Sequence, residues 1–518
     1  MKLRILSAIA FLFNFALGQV APPRDFDQYV ESVRKAFDVP GLCVAIVKDG
    51  KVVLAKGYGL RTLGTSDKVD SKTNFGIASN TKAFTATALG LLVEEGKLKW
   101  DARVIDYLPW FQLSDPYVTR ELTIRDLLVH RSGLGLGAGD LLWWPSSNYN
   151  RKEIAKRLRY IPLATSFRSA YAYDNVLYLI AGEVIETVSG MTWEDFVQKR
   201  ILEKVGMTLT NVRHSDATRK GNVATPHAEI NNVVKPIAAF DSDNTNPAGG
   251  INSNADDMSK WMICQLDSGK LSDGSRLFSP ATTRQLWSIV TPTPIGMAPP
   301  ELSGLQANFS GYALGFGIRD YLGRKIVSHT GGLPGYVSKV ALVPSARLGV
   351  TVLTNQESGD AFESIVYKVL DDYLGGETHD WVYSYKRFRA RIDSVITASE
   401  KTTATSRDSL SKPSLPLQKY AGTYTDQWYG DVAIEHNNGN LTIRFVPTPS
   451  LTGKLEHYQY NTFIARWNDP ELRADAFITF SLNPDGTIDQ AKMKAVSPAT
   501  DFSFDFHDLT LKPAGKRN

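Results

Sequence analysis

Ser79 and Lys82 are three residues apart in the stretch Phe75-Gly-Ile-Ala-Ser-Asn-Thr-Lys82. A helix-forming run, Ala83 to Glu95, follows directly. Residues i and i+3 share a helix face, so a hydroxyl and an amine would be neighbours. The serine would sit near the helix N-terminus, where free backbone N–H groups favour developing negative charge. That chemistry is an activated serine nucleophile. A bare Ser-x-x-Lys is a weak signal, because an N-cap serine and a solvated lysine give the same letters.

Two further stretches supply partners. Tyr171-Ala-Tyr-Asp-Asn175 opens a helical run, and a phenol at such a junction can project into a cleft. A protonated Lys82 beside Tyr173 would lower the phenol pKa and make a phenolate base accessible. Asn175 offers a carbonyl and an amide to a substrate. Ser328-His-Thr-Gly-Gly332 closes a strand-like run, and its glycines permit close approach of substrate to backbone. The backbone N–H groups of Ser79 and Gly332 could together form an oxyanion hole.

Ser79-x-x-Lys82, Tyr173-x-Asn175 and His329-Thr-Gly331 stand in the order and approximate spacing of the class C β-lactamase-related serine hydrolases. That group includes class C β-lactamases, D-Ala-D-Ala carboxypeptidases, D-aminopeptidases and family VIII esterases. The flanks resemble it too: Leu127-Leu-Val-His-Arg-Ser-Gly-Leu134 and Gly332-Leu-Pro-Gly-Tyr336. The resemblance covers about residues 25–375, and the tail at 417–514 resembles the lipocalin-like domain often appended to this family. It implies Ser79 as the acylated nucleophile and general-base work shared by Lys82 and Tyr173. It implies Asn175, His329 and Gly331 on the substrate, and the Ser79 and Gly332 amides on the oxyanion. No cofactor and no metal are implied. His329 stands where β-lactamases usually carry lysine, and a histidine near its ordinary pKa is mostly neutral at pH 7. The expectation is therefore an esterase or D-residue peptidase rather than an efficient β-lactamase. Two other readings use the same residues: a secreted matrix or binding protein that keeps the fold without the chemistry, and a penicillin-binding enzyme of a bacterial envelope.

The elements around these motifs predict an α+β fold. A helix over about 24–38 precedes two apolar runs, 42–48 and 51–58, joined by Asp49-Gly50, a hairpin signal. Helices are expected at about 80–95, 123–130, 151–160, 175–188, 192–202, 255–268 and 279–288, an all-helical middle. Strands at about 312–321, 325–329, 337–343 and 349–354 would join the early hairpin in one antiparallel sheet, backed by a helix at 360–373. The glycine run from Arg131 to Gly139 reads as a flexible loop, since its spacing does not fit a dinucleotide fingerprint. A helix at 380–398 leads to a Ser/Thr/Lys/Pro-rich linker, Ser399–Pro416. Six short alternating runs from Tyr420 to Leu511, the last at 502–511, predict a small all-β barrel or sandwich.

The predicted organisation is a signal peptide at 1–18, a catalytic domain at 19–380, a helix and linker at 381–416, and an accessory domain at 417–518. The signal peptide rests on Lys2 and Arg4 ahead of an apolar run ending Ala16-Leu-Gly-Gln19, too short for a stable membrane anchor. It predicts a secreted or periplasmic protein. With 58 basic and 54 acidic residues, a net charge of +4 and no long basic block, a nucleic-acid partner is not expected. The expected partner is a small-molecule or peptide substrate, with an oligomer through the C-terminal domain open. Two cysteines, Cys43 and Cys264, read as buried thiols, with one bridge as the alternative.

Overall fold

The computed structural model describes residues 21–216 and 221–515. The signal-peptide residues fall outside them. Helix α1 (Phe26–Ala36) lies against a hairpin of β1 (Gly41–Lys48) and β2 (Lys51–Gly59). β1 also pairs antiparallel with the late strand Leu348–Thr354, Val44 opposite Val352. The sheet has eight strands in the order β2, β1, Leu348–Thr354, Tyr336–Val343, Arg324–Leu333, Gly317–Tyr321, Ser310–Tyr312 and Thr291–Pro292. The N-terminal hairpin and the late strands up to Thr354 thus build one sheet around an inserted, largely helical middle.

The short strand β3 (Phe75–Gly76) leads through a single 3-10 turn, Ala78–Asn80, into helix α2 (Thr81–Glu94). Thr81 to Leu92 are all buried. A helix that is apolar all round is a buried one, and α2 runs through the core among helices Val176–Ser189, Asn246–Gly249 and Pro280–Leu286. Burial on both sides fixes the position of every side chain that α2 carries.

The middle of the chain departs from the expectation in two places. Residues 123–130 hold only a 3-10 turn, Asp126–Leu128, because the backbone leaves helical geometry at Val129 and is left-handed at His130, with φ 56°. A hairpin, His227–Ile230 with Val233–Pro236, interrupts the helices, turning at Asn231 and Asn232 with φ of 54° and 61°. Asparagine tolerates that left-handed backbone better than most residues. Cys43 and Cys264 are both buried free thiols.

The helix after the catalytic portion extends past its expected end, spanning Trp381–Thr405. Trp381, Ser384 and Tyr385 bury its start, and Thr403 O near its end accepts from the Tyr458 hydroxyl of the next domain. Tertiary anchoring at both ends holds a Ser/Thr-rich segment helical where composition alone suggests a linker.

Residues 422–513 form a nearly closed eight-stranded antiparallel barrel. Closure comes from the chain end: Leu511 bridges Ala491, and Lys512 pairs with Thr425 on the opposite edge. Strands Thr452–Gln459 and Ile488–Ala495, with charged outer faces, complete it. Residues 502–511, expected as a strand, are instead a loop with one 3-10 turn, Phe506–Asp508, and the loop reaches into the catalytic domain.

Candidate active site

Ser79 is half-buried while Ala78 and Asn80 on either side of it are buried. The backbone of Ala78 is left-handed, with φ 47°. For a non-glycine residue that conformation costs about 1 kcal/mol or more, and it persists only where surroundings impose it. Ser338 imposes it: its hydroxyl donates to Ile77 O at 2.8 Å and accepts from Asn80 Nδ2 at 2.8 Å. The turn is thereby pinned to the strand Tyr336–Val343.

Gly331, on the neighbouring strand, allows the contact. A Cβ there would stand 2.2 Å from Ile77 O and 3.0 Å from the Ala78 Cβ. A Cβ at Gly332 would meet nothing within 4 Å, and Gly332 is exposed. The strand Arg324–Leu333 pairs with Gly317–Tyr321 only as far as Ser328. Among the described residues no strand pairs with its outer edge from His329 to Leu333, and the strand lies against the Ala78–Asn80 turn.

Lys82 is fully buried. Its Nζ donates to Ser79 Oγ at 3.0 Å, Asn175 Oδ1 at 2.7 Å and Ala248 O at 3.0 Å. Three neutral acceptors hold the amine in place without neutralising a charge. Burial drives its pKa down to about 7, against an opposing pull from Asp140 and Asp174. Near neutral pH the amine is thus available as a base.

The Tyr173 ring lies 5.0 Å from Lys82 Nζ. Burial raises the phenol pKa, with Tyr171, Asp140 and Asp174 adding to the rise. This corrects the expectation of a lysine-lowered phenol: desolvation outweighs the neighbouring amine. Asn175 is engaged at both ends, accepting from Lys82 and donating from Nδ2 to Asp140 Oδ2 at 2.8 Å. Its amide faces the protein interior as a link between two titratable groups.

His329 accepts at Nε2 from the Tyr312 hydroxyl at 2.7 Å and donates from Nδ1 to Thr330 O at 2.5 Å. Both ring nitrogens are occupied in a neutral tautomer. Burial and Lys82 push its pKa down to about 3. The ring is therefore uncharged throughout the neutral range and offers no cation to a substrate carboxylate.

The structure brings Ser79, Lys82 and Asn175 together in one hydrogen-bonded group, with the Tyr173 ring beside Lys82 and with His329, Gly331 and Gly332 on the adjacent strand. Sequence reasoning passed over three residues. Tyr312 fixes the His329 tautomer. His130 stacks on Tyr173 at 4.3 Å and accepts at Nδ1 from Asp174 N at 3.1 Å. Asp140 is wholly buried, held by Asn175, Trp143 and Ser503, and burial raises its pKa to about 7. Its one sequence signal was a lone carboxylate between Gly137-Ala-Gly139 and Leu141-Leu-Trp-Trp144. Among the described residues no cluster could hold a metal ion, and no helix is long and apolar enough to cross a membrane.

A cleft of about 1590 Å³ opens beside this group between the catalytic domain and the barrel. Gly332 and Leu333 are on its wall, with Trp144 and Phe240 on one side and Trp467 on the other. Arg473 of the barrel and Glu357 of the catalytic domain close part of it with a two-pronged ion pair of 2.6 and 2.8 Å.

Residues 26–372 match the family model described as Beta-lactamase, and residues 406–513 match a domain of unknown function, DUF3471. Unguisins hydrolase ungD' of Aspergillus campestris (strain IBT 28561) is 30% identical over 487 residues, 90% of this chain and 88% of that protein. Penicillin-binding protein 4 of Amycolatopsis lactamdurans is 27% identical, over 67% of this chain and 88% of its own. The octameric penicillin-binding protein homologue from Pyrococcus abyssi superposes with a TM-score of 0.58 at 20% identity, over 94% of this chain and 99% of that one, a likeness of fold.

Proposed function

Because the chain belongs to the β-lactamase family, a family of serine hydrolases, we propose that it hydrolyses ester or amide bonds through an acyl-serine intermediate on Ser79. The observation that carries this reading is the Lys82 amine, fully buried and 3.0 Å from the Ser79 hydroxyl. In its neutral form Lys82 takes the Ser79 proton as Oγ attacks the substrate carbonyl. The oxyanion sits at the backbone amides of Ser79 and Gly332. Tyr173, a neutral phenol beside Ser79, passes a proton to the leaving group and is restored by the Lys82 ammonium. Water then attacks the acyl-enzyme by the reverse proton path. Lys82 takes the first proton because burial lowers its pKa and raises that of Tyr173.

Two features support the substrate class. The uncharged His329 lacks the cation that would anchor a β-lactam carboxylate. The wide cleft beside Gly332 has room for an extended peptide or a bulky amide. The relative ungD' is named a hydrolase of unguisins, which supports hydrolysis as the class of reaction. Export is part of the proposal, on the strength of the basic and apolar N-terminus; a secreted chain starting near Gln19 tests it by N-terminal sequencing. The activity test is a panel of small esters, D-residue amides and β-lactams with Ser79→Ala beside the wild type. Ester or amide turnover that vanishes in Ser79→Ala supports the reading; turnover that survives removes it.

A further inference from the structure

The loop between the last two barrel strands enters the catalytic domain and surrounds Asp140 on three sides. Ser503 Oγ donates to Asp140 Oδ2 at 3.0 Å. The two oxygens of Asp505 accept from the backbone N–H groups of Gly139 at 2.8 Å and Leu141 at 3.0 Å, the residues on either side of Asp140. Phe502 stands edge-on to the Tyr173 ring at 6.2 Å. Gly137 has φ 69°, and a Cβ there would lie 2.8 Å from the Phe502 ring and 2.9 Å from its carbonyl. Ser503 and Asp505 are buried. A loop that clamps one residue by its side chain and by both flanking amides defines that residue's position.

Asp140 has no direct bond to the nucleophile. Its Oδ2 accepts from Asn175 Nδ2, Asn175 Oδ1 accepts from Lys82, and Lys82 donates to Ser79. We propose that Ser503 of the C-terminal barrel is a positioning residue of the active site, holding Lys82 on Ser79 through Asp140 and Asn175. The inference rests on the reading of Ser79 as nucleophile. It makes the barrel a structural part of the catalytic wall rather than an appended module.

The charged and titratable groups around this chain set the expected response. Asp140 faces Lys82, Asp174 and Asp505, and Lys82 also faces His130, His329 and Tyr173. A hydroxyl donating to Asp140 favours its carboxylate form, and that carboxylate favours protonated Lys82. Without the hydroxyl, Asp140 protonates more readily and Lys82 loses its proton at lower pH. The acid limb of activity then moves to lower pH, while the amine becomes a weaker and less well-aimed base.

The test is steady-state kinetics across pH on full-length Ser503→Ala and Ser503→Thr, with Ser79→Ala in parallel and thermal melts on all. The expected result for Ser503→Ala is a kcat roughly tenfold lower, the size of a lost hydrogen bond to a charged group. KM stays within about twofold, the acid limb moves to lower pH, and Ser503→Thr restores both. An unchanged kcat and acid limb in a folded Ser503→Ala overturns the inference, as does a lower melting temperature with no kinetic change. Residual turnover in Ser79→Ala would instead overturn the underlying reading of the nucleophile.

Discussion

Burial moves the Lys82 amine and the Tyr173 phenol in opposite directions, and in the proposed mechanism that divergence makes Lys82 the base. It disfavours the charged form of each, so the amine loses its proton readily and the phenol keeps its own. A pH dependence follows. Below about 7 Lys82 is protonated and cannot accept the serine proton; above 7 it is neutral. The plot of kcat/KM against pH therefore rises about tenfold per unit up to about pH 7 and then levels. A profile flat from pH 5 to 9 would contradict the assignment. His329 contributes no limb near its ordinary pKa, because burial and the neighbouring Lys82 push its pKa down to about 3. At this scale the sequence displayed the nucleophile group by type and spacing. It did not display Asp140, Tyr312 or Ser503, because their roles come from pairings across 35, 17 and 363 residues. Ser503 was further concealed by its setting: Phe502-Ser-Phe-Asp-Phe506 alternates like a strand.

Two adjacent glycines separate support of the site from access to it. Gly331 is packed against Ile77 and Ala78, so Gly331→Ala forces the strand off the nucleophile turn. The expected cost is about 1–3 kcal/mol of stability, the range for overpacking a tight contact, together with most of the activity. Gly332→Ala points into open space and should leave stability within about 0.5 kcal/mol. Differential scanning calorimetry on the pair checks this; equal losses would mean the strand does not touch the turn as described. The hairpin of β1 and β2, the buried helix α2 and the late strands were legible because each carries its own periodicity or turn signal. The hairpin at 227–236 was not, since its strands, His227–Ile230 and Val233–Pro236, are only four residues each and too short to show a period. The charged strand Thr452–Gln459 was missed for a related reason: only its barrel-facing side is apolar.

The catalytic domain and the barrel share more than a connection. Tyr149 donates to Tyr429 O at 2.7 Å, Arg157 to Trp428 O at 2.9 Å, and Asn148 N to Pro447 O at 2.8 Å. With Ser503 and Asp505 these bonds make the barrel one wall of the site. A chain ending at Thr405 should consequently lose activity on every substrate the full chain accepts and melt at lower temperature; full activity in it would show that the barrel is dispensable. Sequence composition marked the change to an all-β tail but not its docking, because docking depends on a loop whose alternation resembles one more strand. It also placed the linker too early, since the polar residues 399–405 remain helical between two anchored ends.

The central claim is a live nucleophile at Ser79, and intact-mass spectrometry after treatment with a fluorophosphonate probe tests it most directly. One adduct on the wild type and none on Ser79→Ala is the predicted result. A folded wild type that takes up no probe, or a Ser79→Ala variant that still does, would contradict it.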